Sequence, residues 1–160
     1  MPSVTAGVTI LLGAISLAIP APPDSASLAA AFAGQLAARS PEHDGVPLRT
    51  YVLQDIDHDN QFEVLEYVSA FENSPGLMNV ELKGAFEWVN VYAFDGGGFR
   101  ERTASLRWFL TERKEHYQFW LRVLELPAAL NADSRGLVEA NKAKFRLTLR
   151  DYLRRIQELE

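Results

Sequence analysis

Near Thr103 the spacing of apolar residues changes period, and this change constrains the fold more than any other feature of the chain. Upstream, Thr50-Tyr51-Val52-Leu53 and Phe86 to Phe94 (FEWVNVYAF) are rich in the β-branched and aromatic residues that suit strands. Phe62 to Phe71 (FEVLEYVSAF) fits a strand, although its spacing also permits a helix. Asn73-Ser74-Pro75-Gly76 is a turn, and a further strand is expected near Met78 to Leu82. Asp95-Gly96-Gly97-Gly98 folds the chain back into Phe99–Arg102 as a hairpin.

Downstream, Leu106, Phe109, Leu110, Tyr117, Trp120, Leu121 and Leu124 mark one face of a helix ending before Pro127. A second helix, capped at Asp133 or Ser134, carries Val138, Phe145, Leu149, Tyr152, Ile156 and Leu159 as its apolar stripe. Strands followed by helices give an α+β fold, a small antiparallel sheet packed against a C-terminal antiparallel helix pair. An N-terminal helix is added from Asp24 or Ser25 to about Arg39, where Leu28, Phe32 and Leu36 share a face. Residues 40–45 are expected to be a linker.

A chain of 160 residues, 48% hydrophobic, supports one core rather than two. Three parts are expected: residues 1–21 as a signal peptide or N-terminal apolar segment, 22–45 as short helix and linker, and 46–160 as a single α+β domain. No charged side chain precedes Asp24, and Val4 to Ile19 is almost continuously apolar or small. That pattern fits a signal-peptide core with small-residue cleavage candidates at Ser16-Leu17-Ala18 or Ile19-Pro20-Ala21, although no Lys or Arg precedes it. A retained membrane anchor and a buried core helix are the alternatives. Export to the periplasm or the extracellular space is the expected localisation.

Charge and composition narrow the chemistry. Residues 1–100 hold four basic and twelve acidic side chains, net -8, whereas residues 101–160 hold twelve basic and nine acidic, net +3. The overall charge of -5 argues against nucleic acid as a partner. The absence of cysteine removes disulfides, zinc ribbons, iron–sulfur ligation and thiol catalysis together.

Within the acidic half, Asp55-Ile56-Asp57-His58-Asp59-Asn60-Gln61-Phe62-Glu63 places carboxylates at alternating positions of a short segment. Calcium takes six to eight oxygen ligands, and such a loop can supply them. Asp55, Asp57, Asp59 and Glu63 are the expected side-chain ligands, with the backbone carbonyl of Gln61. Asn60 stands where these loops usually carry Gly, and Asn is among the few other residues that tolerate a left-handed backbone. An EF-hand would use Glu66, at the twelfth position, as a bidentate ligand and needs a helix on each side. Pro47 and Thr50-Tyr51-Val52 are poor material for the entering helix.

A strand–loop–strand unit is the other geometry. TYVLQ, DIDHDNQFE and VLEYVSAF in succession resemble the FG-GAP/VCBS-type calcium repeat, and VNVYAFDGGGF resembles the hairpin that often accompanies it. The resemblance spans residues 50–102 and implies the ligand set above, with Glu66 turned away from the metal. Asn60 and His58 depart from its usual residues and imply weak affinity. One copy is present, so a complete single-chain propeller is excluded.

Other motifs carry less. His43, His58 and His116 lack metal-ligand spacing, and His116 sits in the charged segment Glu112-Arg113-Lys114-Glu115, where a solvated position is expected. Asp95–Gly98 lacks the lysine and following helix of a phosphate loop. Trp88, Trp108 and Trp120 fit a core better than a ligand groove. Lys142, Arg146, Arg150 and Arg154 recur every four residues as a solvated stripe interleaved with acids. No catalytic constellation stands out. The sequence therefore points to an exported calcium-binding protein with a structural or partner-binding role. A secreted hydrolase or hydrolase accessory domain and a membrane-tethered subunit are the alternatives.

Overall fold

A computed structural model describes residues 24–77 and 79–160; the N-terminal apolar segment lies outside the described residues. Helix α1, Ser25–Ala37, begins where the Asp24 carboxylate accepts the Ser27 N–H at 2.7 Å. That bond satisfies one of the amides a helix start leaves open. The segment expected as linker, residues 40–45, carries the first strand and the two-residue turn of a hairpin, β1 (Glu42–His43) with β2 (Val46–Pro47). Asp44 and Gly45 supply the two positive φ angles, 52° and 75°, that such a turn requires.

The main sheet is antiparallel, with strands β3 (Thr50–Gln54), β4 (Glu63–Ser69), β5 (Glu87–Phe94) and β6 (Phe99–Glu101) in that spatial order. Its register sets Leu65 between Val52 and Val91, and Glu66 between Tyr51 and Asn90. Because strand side chains alternate, these two rows lie on opposite faces. Both faces are covered. Leu65, Val89 and Val91 pack with Phe109 of the helix layer. On the other side α1 sets Phe32 against Tyr92 and Phe99, with ring centroids 5.4 and 4.7 Å apart. The Tyr51 hydroxyl also donates to the carbonyl of Leu36 in α1.

The strand expected near Met78 to Leu82 is a helix instead. Val80–Lys83 forms the short helix α2, continued by a 3-10 turn through Phe86. Local capping explains the difference. Asn79 accepts the Leu82 N–H through its side-chain oxygen and donates its amide to Ser134 Oγ at 2.7 Å, which fixes the turn against the last helix. Leu82, Ala85 and Phe86 are thereby fully buried.

Helix α3 spans Arg107–Glu125 and α4 spans Ala132–Leu159. The α4 cap is Asn131, which accepts the Ser134 N–H, rather than Asp133 or Ser134. The pair is antiparallel: Lys114 meets Glu160 at one end, and Glu125 meets Lys142 and Arg146 at the other. Their stripes enclose the main core, in which Phe86 lies 4.5 Å from Phe145 and Tyr117 lies 4.9 Å from Tyr152 between ring centroids. The buried hydroxyls find partners. Tyr117 donates to Glu87 O and Tyr152 to Phe86 O, tying the helices to the start of β5. Each fully buried Leu or Ile here contributes on the order of 1.5–3 kcal/mol. None of the described helices is long and apolar enough to cross a membrane.

Candidate metal centre

Residues 55–62 join edge strand β3 to β4, so the acidic segment is a loop between two paired strands. Its shape comes from carboxylates accepting backbone amides. Asp55 accepts the N–H of Asp59 at Oδ1 and of Asn60 at Oδ2, both at 3.1 Å, and Asp57 accepts the Asp59 N–H at 3.3 Å. Asp59 accepts the Gln61 N–H at 2.7 Å and the Gln61 side-chain amide at 3.2 Å. The Phe62 N–H donates to Ser25 Oγ at 2.6 Å, anchoring the loop to the start of α1. Asn60 has a φ of 66°, the left-handed conformation its position calls for, and His58 has a φ of 64°.

One carboxylate oxygen from each of Asp55, Asp57 and Glu63 lies within 4.8 Å of the other two. Glu63 is only 4% exposed, and its Oε2 accepts the Ile56 N–H at 2.9 Å. Burial pushes its carboxyl above the usual range, and the neighbouring charges of Asp57 and Asp59 push the same way. A buried carboxylate held beside two others is costly unless a cation shares the site. Three carboxylates together with a loop carbonyl and water suit a hard cation such as calcium. Asp59 stands outside the convergent trio, with its oxygens on Gln61.

Glu66 lies elsewhere, on the face beneath α1. Its Oε1 accepts from Arg49 at 3.0 Å and shares the single Tyr51 hydroxyl hydrogen, at 3.3 Å, with the Leu36 carbonyl; its Oε2 accepts from Asn90 and the Tyr92 hydroxyl, each at 2.9 Å. Arg49 also grips Glu72 through two nitrogens. Burial raises the Glu66 carboxyl, but bonds from Asn90, Tyr92 and Arg49 outweigh it and hold the group below its ordinary value. Sequence reasoning considered Glu66 only in relation to the metal and did not find this network. Its available signal was an acid between the apolar residues Leu65 and Tyr67 of a strand.

The remaining motifs fall as follows. Asp95 accepts the N–H groups of Gly97 and Gly98 and closes the β5–β6 hairpin. Lys142 and Arg146 pair with Glu125, and Arg154 pairs with Asp151. Trp88 is buried under the Arg155 guanidinium, whereas Trp108 is 43% exposed. His116 is not a solvated residue: it is half-buried and its Nε2 donates to the Gly84 carbonyl at 2.9 Å. Burial, with the nearby charge of Arg113, lowers its basicity. The contact crosses from α3 to the turn after α2, so only tertiary structure reveals it. Comparisons with protein-family models, curated proteins and solved structures find no match to this chain.

Proposed function

We propose that the chain is an exported calcium-binding protein in which a single strand–loop–strand unit of FG-GAP/VCBS type holds the ion and rigidifies one end of the sheet. The role is structural or partner-binding, the partner being another protein. Asp55, Asp57 and Glu63 are the principal ligands, with Asp59 and the Gln61 carbonyl completing the set as the loop tightens. The observation that carries this reading is the convergence of three carboxylates within 4.8 Å, one of them buried. The engagement of both Glu66 oxygens by other side chains favours this unit over an EF-hand. It also favours binding over hydrolysis, because Glu66 and Glu72 share Arg49 and are committed to structure.

Titration calorimetry of chelator-treated protein is the test. Calcium should bind one to one with a dissociation constant of roughly 10⁻⁴–10⁻³ M, the range of weak extracellular sites. Asp57→Asn should remove the signal. No heat and no change in melting temperature at millimolar calcium would refute the proposal.

A further inference from the structure

The two edges of the main sheet differ. Strand β6 is three residues long and carries the exposed charges of Arg100 and Glu101, a common means of keeping a sheet edge from pairing. Strand β3, Thr50–Gln54, at the other edge has five residues, none charged and none proline. Among the described residues, no hydrogen bond outside the β3–β4 ladder reaches the backbone of these five. An edge strand turns part of its N–H and C=O groups outward, so β3 presents a row of open donors and acceptors.

The side chains show what this edge lacks. Val52, Leu65 and Val91 stand in one cross-strand row on the face toward α3. Leu65 and Val91 are 3% and 0% exposed, whereas Val52 is 36% exposed. The row is buried across two strands and ends on an open valine, where a further strand would set another apolar residue. Charge selects the partner. Arg49 precedes the strand and Asp55 follows it. Antiparallel pairing of β3 with a second copy of itself, centred on Val52, aligns all five residues: Thr50 with Gln54, Tyr51 with Leu53, and Val52 with its own counterpart. The same register sets Arg49 of each copy opposite Asp55 of the other, and no like charges meet across the ladder. Arg49 holds Glu66 and Glu72, yet 29% of its side chain remains exposed.

We propose that β3 is a self-association edge, through which two copies of this chain pair antiparallel about Val52 into one continuous sheet, four strands coming from each copy. The two-fold axis passes between the facing Val52 residues, so the interface is isologous and closes at two copies. Five residues from each copy enter the ladder, which makes the dimer reversible and places it at the small end of specific interfaces. The ladder contains no proposed calcium ligand, and the pairing needs no metal.

The test is sedimentation equilibrium of the chelator-treated full chain across a concentration series, together with disulfide trapping. The native chain should exchange between monomer and dimer with a dissociation constant below roughly 1 mM. Val52→Lys sets two like charges face to face across the axis and should weaken association at least roughly tenfold. Phe119→Lys alters an exposed aromatic on α3, outside the strand, and should leave association unchanged. The chain has no cysteine, so Val52→Cys supplies a single thiol. Facing residues of an antiparallel ladder have Cα atoms about 4.5–5.5 Å apart, within the reach of a disulfide. Mild oxidation should therefore give a covalent dimer of Val52→Cys and not of Phe119→Cys. Should the lysine variant unfold, the trapping result decides. The proposal is overturned if the native chain stays monomeric up to that concentration, or if Phe119→Lys weakens association as much as Val52→Lys. It is equally overturned if association survives unchanged in Val52→Lys, as it would were the N-terminal apolar segment responsible, or if Val52→Cys cross-links no faster than Phe119→Cys.

Discussion

Glu66→Gln separates the two loop geometries and tests the buried network in one protein. The carboxylate accepts four hydrogen bonds, two on each oxygen, and one donor is the Arg49 guanidinium. A glutamine retains one acceptor oxygen and turns an NH₂ toward the other pair of donors. Two donors thus lose their acceptor, at about 1–3 kcal/mol each, and the charge assistance from Arg49 is lost. Because Arg49 keeps Glu72 and is partly exposed, a loss of about 3 kcal/mol is expected, below the extreme for a broken buried pair. For a chain of this size that corresponds to a fall in melting temperature of about 10 °C. Thermal unfolding followed by circular dichroism, with and without calcium, reads both quantities. The calcium-induced rise should survive in the variant, because Glu66 faces α1 and not the loop. A variant of near-native stability that no longer responds to calcium would refute the reasoning and restore the EF-hand geometry.

Acid unfolding should report the same network. The Glu66 carboxyl is held below its ordinary value of 4.5, so its stabilisation is present above that pH and disappears as pH falls through the lower folded-state value. The stability gap between native protein and Glu66→Gln should therefore narrow below about pH 4.5, measured by urea unfolding across pH; a gap independent of pH would contradict this. Asn60→Ala forces a left-handed φ of 66° on a residue that resists it and should cost about 1 kcal/mol, whereas Asn60→Gly should be nearly neutral. Chemical denaturation distinguishes these outcomes. Phe145→Ala removes a fully buried ring packed on Phe86 and Phe71 and should cost about 3–5 kcal/mol in the same assay.

The parts of the fold legible in the sequence are those where period and burial agree. Phe145, Leu149 and Ile156 recur on one face of α4 and are fully buried, and the β5–β6 hairpin follows from a glycine turn between aromatic segments. Val80–Lys83 was illegible as a helix because four residues are too few to show a period, and the bond that fixes its Asn79 cap against α4 reaches Ser134, 55 residues away. The Asp-Gly turn at residues 44–45 carried a readable signal, but the strands beside it are only two residues long. At the loop, the alternating acids were plain, while the burial of Glu63 depends on packing. The separate commitment of Glu66 depends on register, which sets Tyr51 and Asn90 beside it from two other strands. His116 and Trp108 acquire their setting from the approach of α3 to the sheet, and helical spacing alone does not encode that approach.

The most direct test of the metal centre is a crystal structure of the full chain grown with calcium, with the ion located by its anomalous signal. One ion should be bound by Asp55, Asp57 and Glu63, with Glu66 still held by Arg49, Asn90 and Tyr92. An ion ligated by Glu66, or a loop with no ion at millimolar calcium, would contradict it.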